Sequence, residues 1–121
     1  MIGQLRSVVI DCPDPRALAA FYSELLGIPF VEGNTEDDWV VLGGPPGHQP
    51  RLAFQQALGL RKPAWPDPER PQQFHIDVTV DDIETAEKAA LALGARRLPG
   101  GGGDFRVYAD PVGHPFCLCW D

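Results

Sequence analysis

The sequence predicts an α+β fold made of two similar βαβββ modules. A strand-like stretch followed by an amphipathic helix pattern occurs twice, and each helix pattern precedes short apolar runs separated by turn residues. A proline-rich segment separates the two copies. We therefore expect a single domain, with a first module at 1–56, a linker at 57–72 and a second module at 73–121. The two modules are expected to form a pseudo-twofold pair whose curved mixed sheet surrounds a pocket.

In the first module, residues 5–12 (LRSVVIDC) are strand-like and a helix is predicted over 15–26. Asp14 can accept the free N–H groups of the first turn, Pro15 fits the first helical position, and Gly27 fits the position after the helix. The apolar positions at helical spacing are Leu18, Phe21, Tyr22 and Leu25.

The second module repeats this pattern after a predicted strand at 73–80 (QFHIDVTV). Asp81 followed by Glu84 predicts a capping box, and Gly94 predicts the end of the helix. Residues in the strand alternate between an apolar face (Phe74, Ile76, Val78, Val80) and a polar face (His75, Asp77, Thr79).

Two loop segments carry turn residues rather than strand or helix patterns. The linker contains four prolines and is expected to be extended, because proline cannot donate to a central strand. The glycine run Gly100–Gly103 is expected to form a flexible hairpin tip, and His48 is expected to lie solvated in a turn.

Composition excludes several classes of function. The 121-residue chain carries 10 Lys and Arg against 17 Asp and Glu, a formal net charge of −7, which disfavours binding to nucleic acids and to anionic membranes. No apolar run is long enough for a membrane span, and the N-terminus lacks a signal-peptide pattern, so we expect a cytoplasmic protein. An odd number of cysteines, three, predicts reduced thiols.

Strand alternation also predicts a cleft. If a helix covers one face of each sheet, the opposite faces point Ser7, Gln55, His75, Asp77, Cys117 and Cys119 into a shared space. Trp39, Trp65, Phe30 and Tyr108 are candidates for apolar walls that suit a planar or cationic ligand. The alternative is that Trp39 and Phe30 belong to the core and that Trp65 holds the linker in place.

His75 and Asp77 are the candidate catalytic pair, because histidine beside a carboxylate is a common arrangement for proton transfer. The alternative is that Asp77 forms an ion pair with an arginine on a neighbouring strand, either Arg51 or Arg106.

Several motifs together resemble the vicinal oxygen chelate superfamily of glyoxalases, bleomycin resistance proteins and extradiol dioxygenases. They are DCPDPRALAAFYSELLG (11–27), Trp65-Pro66, HIDVTVDD (75–82), LGA (93–95) and DPVGHPFCLCW (110–120). More narrowly, the sequence resembles the small glyoxalase-like proteins of high-GC bacteria. This resemblance implies paired βαβββ modules, a pocket in a curved sheet and a homodimer.

The resemblance also implies where a metal would bind. Metal-using members typically supply His, Glu or Gln, His and Glu, and these positions correspond here to Ser7, Gln55, His75 and Cys117. Only His75 retains a strong ligand, so the set is interpreted as vestigial and no metal cofactor is expected. A divalent metal held by His75, Cys117, Cys119 and Gln55 is the alternative.

Three functions follow as hypotheses. The first is metal-independent binding of a small organic molecule over Ser7, Gln55, His75, Asp77 and Cys117. The second is a metal-dependent lyase, isomerase or dioxygenase of the glyoxalase type. The third is sequestration of a cationic antibiotic of the bleomycin type, which the net negative charge would favour.

Overall fold

A computed structural model describes residues 1–44 and 51–120, except for the side chains of Asn34 and Thr35. His48 lies outside the described residues. The chain divides into two compact units, Met1–Leu60 and Arg61–Asp121. Each unit is a βαβββ module with one helix and one four-stranded mixed sheet, so the predicted α+β class is confirmed.

The helices and strands follow the same order in both units. The first unit contains β1 (Ser7–Cys12), α1 (Pro15–Leu26), β2 (Phe30–Thr35), β3 (Trp39–Leu42) and β4 (Arg51–Gln56). The second unit contains β5 (Ile76–Thr79), α2 (Ile83–Ala92), β6 (Arg96–Arg97), β7 (Phe105–Ala109) and β8 (Pro115–Cys119). No helix in the described part of the chain is long and apolar enough to cross a membrane.

The two sheets have equivalent topologies. The first has the strand order β1-β4-β3-β2 and the second β5-β8-β7-β6. In each sheet the first strand pairs in parallel with the last, and the other pairings are antiparallel. The parallel pair requires a long crossover connection, which the helix and the two following strands provide.

Helix α1 forms where the sequence predicts it and packs on its own sheet. The Asp14 side chain accepts a hydrogen bond from the Ala17 N–H, and Gly27 adopts the left-handed conformation with φ 68°. Leu18, Phe21 and Tyr22 are buried and Leu25 is half-buried, and the Tyr22 ring stacks on Phe54 of β4 with ring centroids 5.8 Å apart. Burial of this apolar stripe against the sheet is the main source of stability for a helix of this length.

Helix α2 begins one residue later than predicted. The capping side chain is that of Asp82 and not that of Asp81. Asp82 accepts hydrogen bonds from the backbone N–H groups of Glu84 and Thr85. Asp81 and Asp82 are adjacent residues of the same type, so sequence alone did not distinguish which of them adopts the extended capping conformation. Strand β5 is likewise shorter than the predicted 73–80, and His75 directly precedes it.

A network of charged side chains joins α2 to β6 and β7. Glu87 of α2 accepts hydrogen bonds from the Tyr108 hydroxyl at 2.9 Å, from Arg97 at 2.9 Å and from Arg106 at 3.0 Å. Arg106 also donates to Glu84 at 2.7 Å. These hydrogen bonds lower the pKa of Glu87, the largest contribution coming from Tyr108. Glu87 therefore supplies the partner that the buried Tyr108 hydroxyl needs.

The segment preceding β5 packs as part of the second unit from Arg61 onward, so only 57–60 of the predicted linker belongs with the first unit. Its residues form a closed loop in which the Ala64 N–H donates to the Arg70 carbonyl at 2.9 Å. The Gln73 amide donates to the Arg61 carbonyl at 3.3 Å. These contacts hold Trp65 in a defined place.

We predict that Asp82→Ala lowers the free energy of unfolding by about 1 kcal/mol, the usual cost of losing an N-cap side chain. Asp81→Ala removes the same charge from the neighbouring position and should cost less than about 0.5 kcal/mol. Urea denaturation followed by circular dichroism measures both values. Equal losses in the two variants would contradict the assignment of Asp82 as the cap.

We predict that Glu87→Gln destabilises the protein at neutral pH and that the difference from the wild type shrinks in acid. The pKa of Glu87 is lower in the folded than in the unfolded state. Its stabilising contribution is therefore present above the unfolded pKa and is lost as the pH falls through the folded pKa. Urea midpoints measured from neutral pH into acid test this, and a constant difference at every pH would contradict it.

Candidate functional site

The second sheet has one face toward α2 and one face available for a site. Phe116 and Leu118 of β8 are buried on the face that carries Tyr108, whose hydroxyl reaches α2. Strand alternation places Pro115, Cys117 and Cys119 on the opposite face. The register of β5 on β8 pairs Asp77 with Cys117, so the predicted polar face of β5 belongs to this second face.

A cavity of about 240 Å³ lies on this second face, within the second unit. We call it the Trp65 pocket. Its lining is mostly apolar and aromatic, with the polar groups supplied by His75 and Gln72. The lining residues are Trp65, Gln72, His75, Gly101, Phe105, Val107, Pro115 and Cys117.

Three polar side chains form a row at one side of the pocket. Cys117 is the cross-strand partner of Asp77, and Nε2 of His75 lies 3.7 Å from Oδ1 of Asp77. The His75–Asp77 separation is too long for a hydrogen bond and within range for electrostatic attraction. Asp77 therefore holds a carboxylate next to two groups that line the pocket.

Burial and Asp77 keep the Cys117 thiol protonated. Burial in the strand raises the pKa of Cys117 to about 11, and the negative charge of Asp77 acts in the same direction. A thiol with such a pKa is a poor nucleophile near neutral pH, because the thiolate is the reactive form. Cys117 thus contributes a small, weakly polar surface to the pocket rather than a nucleophile.

The structure places the predicted residues of the first unit apart from one another. Ser7 pairs with Arg51, whereas Gln55 pairs with Asp11, four positions further along the strands. At about 3.3 Å per residue this separates Ser7 from Gln55 by about 13 Å along the sheet. Trp39 is half-buried and pairs with Gln55, so these two side chains share a face of the first sheet.

Two other expectations need correction. Tyr108, expected to line a pocket, is fully buried on the α2 side, where burial and the bond to Glu87 raise its pKa to about 12. Side chains alternate between the two faces along β7, and the register with β8 places Val107 on the face of Cys117. Tyr108 therefore points to the opposite face. The expected pairing of Asp77 with an arginine is also absent from the described residues. Arg106 binds Glu84 and Glu87, and Arg51 donates to the Gly44 carbonyl.

Several lining residues were not predicted from the sequence. Phe105 and Val107 alternate with Arg106 and Tyr108 along β7. Knowledge of the register of β7 on β8 would therefore have identified Phe105 and Val107 as lining residues. Gln72 and Gly101 lie in loops, where no periodic signal exists. The glycine run was expected to be a flexible tip, yet Gly101 lines the pocket.

The family profile described as a glyoxalase-like domain matches residues 7–119. The chain belongs to the glyoxalase-like domain family. This confirms the resemblance to the vicinal oxygen chelate superfamily.

Solved structures share the fold of this glyoxalase-like protein at low sequence identity. One is a glyoxalase/bleomycin resistance protein/dioxygenase family enzyme from Burkholderia phytofirmans PsJN, with TM-score 0.74, 18% identity and 98% of each chain covered. Another is a glyoxalase-related enzyme from Fulvimarina pelagi, with TM-score 0.67, 19% identity and coverage of 99% and 89%. The fosfomycin resistance protein FosX from Mesorhizobium loti has TM-score 0.69, 17% identity and coverage of 98% and 92%. No curated protein matches the chain.

The residues of this glyoxalase-like protein do not fit the metal that its superfamily implies. Among residues 1–44 and 51–120, no group of three or more His, Cys, Asp or Glu side chains is arranged to hold a metal ion. Cys117 would have to lose a proton from a thiol of raised pKa, and Ser7 and Gln55 are about 13 Å apart along the first sheet.

We predict that Cys117 reacts slowly with iodoacetamide and that its rate keeps rising, about tenfold per pH unit, beyond pH 9. An ordinary thiol, with a pKa of about 8.5, levels off there. The measurement is peptide mass spectrometry on Cys119→Ser, which removes the neighbouring thiol. Asp77→Asn should increase the rate, since the charge of Asp77 contributes to the raised pKa. A plateau near pH 9 in the folded protein would contradict this prediction, and the protein unfolded in urea is the control.

Proposed function

We propose that this glyoxalase-like protein binds a small organic molecule in the Trp65 pocket and does so without a catalytic metal. The observation that supports this most directly is the pocket's lining, in which Trp65, Phe105, Val107 and Pro115 surround a cavity with few polar groups. A concave, mostly apolar site with a few convergent polar groups is typical of small-molecule binding sites.

The size of the cavity limits the ligand. Its volume is about 240 Å³, whereas an apolar protein cavity of about 150 Å³ accommodates benzene. The part of the ligand that enters the pocket is therefore comparable to one substituted ring or a compact branched aliphatic group. The aromatic walls would supply most of the binding free energy through apolar burial.

The polar groups would orient the ligand. His75 offers one ring nitrogen as a donor and the other as an acceptor, and the Gln72 amide offers both functions. Because few other polar side chains line the pocket, a ligand with one polar end would place that end toward His75. Removal of His75 is therefore expected to weaken the selectivity for ligands with a polar end. It should have a smaller effect on the affinity for a purely apolar ligand.

The proximity of His75 to Asp77 supports a second candidate, metal-independent proton transfer. Nε2 of His75 lies 3.7 Å from Oδ1 of Asp77, and an imidazole beside a carboxylate is a common arrangement for proton transfer. In this candidate function His75 exchanges a proton with the bound molecule, and Asp77 lies beside the imidazolium that forms.

The homodimer implied by the family resemblance stays a prediction.

We predict that single-ring aromatic compounds raise the melting temperature of the wild type and not that of Trp65→Ala, because binding to the folded state stabilises it. Trp120→Ala is the matched control. Trp120 lies in the same unit, where it contacts Arg106 with the guanidinium carbon 5.8 Å from the ring centroid, and it is not a lining residue.

Val107→Phe tests the same proposal by filling the pocket. It should reduce the thermal shift as Trp65→Ala does while retaining a cooperative melting transition. If both pocket variants respond to the compounds like the wild type, binding occurs elsewhere and the proposal is wrong. If no compound in a chemically diverse panel shifts the wild type, the pocket does not bind molecules of this size.

A further inference from the structure

We propose that the ligand of the Trp65 pocket is a small organic cation, an amine or quaternary ammonium carried on a compact apolar group. This inference rests on the binding function proposed above and specifies its ligand class. Two features of the second unit support it independently: the glycine-supported aromatic walls and the carboxylate beside the pocket.

The aromatic walls are held in place by the glycine run. A Cβ atom at Gly100 would lie 3.2 Å from Cη2 of Trp65, and one at Gly102 would lie 3.0 Å from Cε1 of Phe105. A Cβ atom at either position would be in tight contact with the neighbouring ring. The loop expected to be a flexible tip therefore packs against both rings.

Both rings line the cavity, and Trp65 is partly exposed. Aromatic faces carry partial negative charge and attract cations, with tryptophan being the strongest partner among the side chains. An anion placed against the same faces would be repelled. A ligand group seated against the face of either ring is therefore favoured when it carries a positive charge, over a neutral or an anionic group of the same shape.

The negative charge of Asp77, beside the pocket, also favours a cationic ligand. Asp77 is next to both His75 and Cys117, and its side chain is 65% exposed. No lysine or arginine is among the described residues that line the pocket. Arg97 and Arg106 donate to Glu87 on the other face of the sheet. The Asp77 carboxylate, next to the lining residues His75 and Cys117, thus has no arginine partner among the described residues and can attract a bound cation.

The test compares three probes of similar shape and different charge. They are choline, its neutral isostere 3,3-dimethylbutan-1-ol, and the anion isethionate. Each is titrated at millimolar concentration into ¹⁵N-labelled protein at about pH 8, above the range in which histidines usually gain a proton. Amide chemical shifts give the dissociation constant and show whether binding occurs at the Trp65 pocket.

We expect choline to bind about tenfold more tightly than the alcohol, equivalent to about 1.4 kcal/mol, with isethionate weakest. Asp77→Asn should bring the choline and alcohol affinities within about twofold to threefold, leaving the aromatic contribution. Asp81→Asn changes the net charge equally and should leave the wild-type ratio unchanged. Added salt should weaken choline binding and leave binding of the alcohol unaffected, a test that needs no variant.

The outcomes separate this inference from the proposed function. If the alcohol binds as tightly as choline at the pocket, or isethionate binds best, the cation preference is wrong and the binding function stands. If Asp77→Asn keeps the full preference, Asp77 is not its source and the argument is overturned. If none of the three probes shifts pocket amides, the cation class is wrong, and the Trp65→Ala and Val107→Phe experiments decide the binding function.

Discussion

The register of β5 on β8 is the constraint on which the candidate site depends. It pairs Asp77 with Cys117, and the pairing of β7 with β8 then places Val107 on the same face. Because side chains alternate between the two faces of a sheet, a slip of one residue would turn His75 and Asp77 toward α2. The half-buried Ile76 and Val78 of β5 favour the correct register, since the same slip would turn them away from the face that packs toward α2.

The two faces of the second sheet have different polar chemistry. On the α2 side, Glu87 accepts hydrogen bonds from Tyr108, Arg97 and Arg106, so the polar groups are paired within the protein. On the other side, Asp77 contacts only a thiol and an imidazole among the partners that the structure describes. Charges paired internally stabilise the fold, whereas a carboxylate beside an apolar cavity can act on a ligand. Arg106, one of the two arginines considered as a partner for Asp77, lies on the α2 face and donates to Glu84 and Glu87.

The two modules share their topology and differ in the side chains that face away from their helices. In the first unit, Ser7 and Gln55 are four strand positions apart, with Val9 and Ala53 paired between them. In the second unit, His75, Asp77 and Cys117 are adjacent. A repeated fold therefore does not imply a repeated site, because function depends on individual side chains placed on a common scaffold. Of the four positions that the resemblance assigns to a metal, Ser7 and Cys117 replace the typical His and Glu.

Sequence reasoning determined the local structure and the alternation of faces. The α1 cap at Asp14, the turn at Gly27 and the polar face of His75 and Asp77 were all predictable, because they depend on residues a few positions apart. The family could also be predicted from motifs distributed along the chain. The N-cap of α2 was misplaced by one residue because two adjacent aspartates are chemically equivalent. Tyr108, Val107 and the glycine contacts to Trp65 were decided only by tertiary structure, since strand register and loop packing bring together residues distant in sequence, and no local pattern records those contacts.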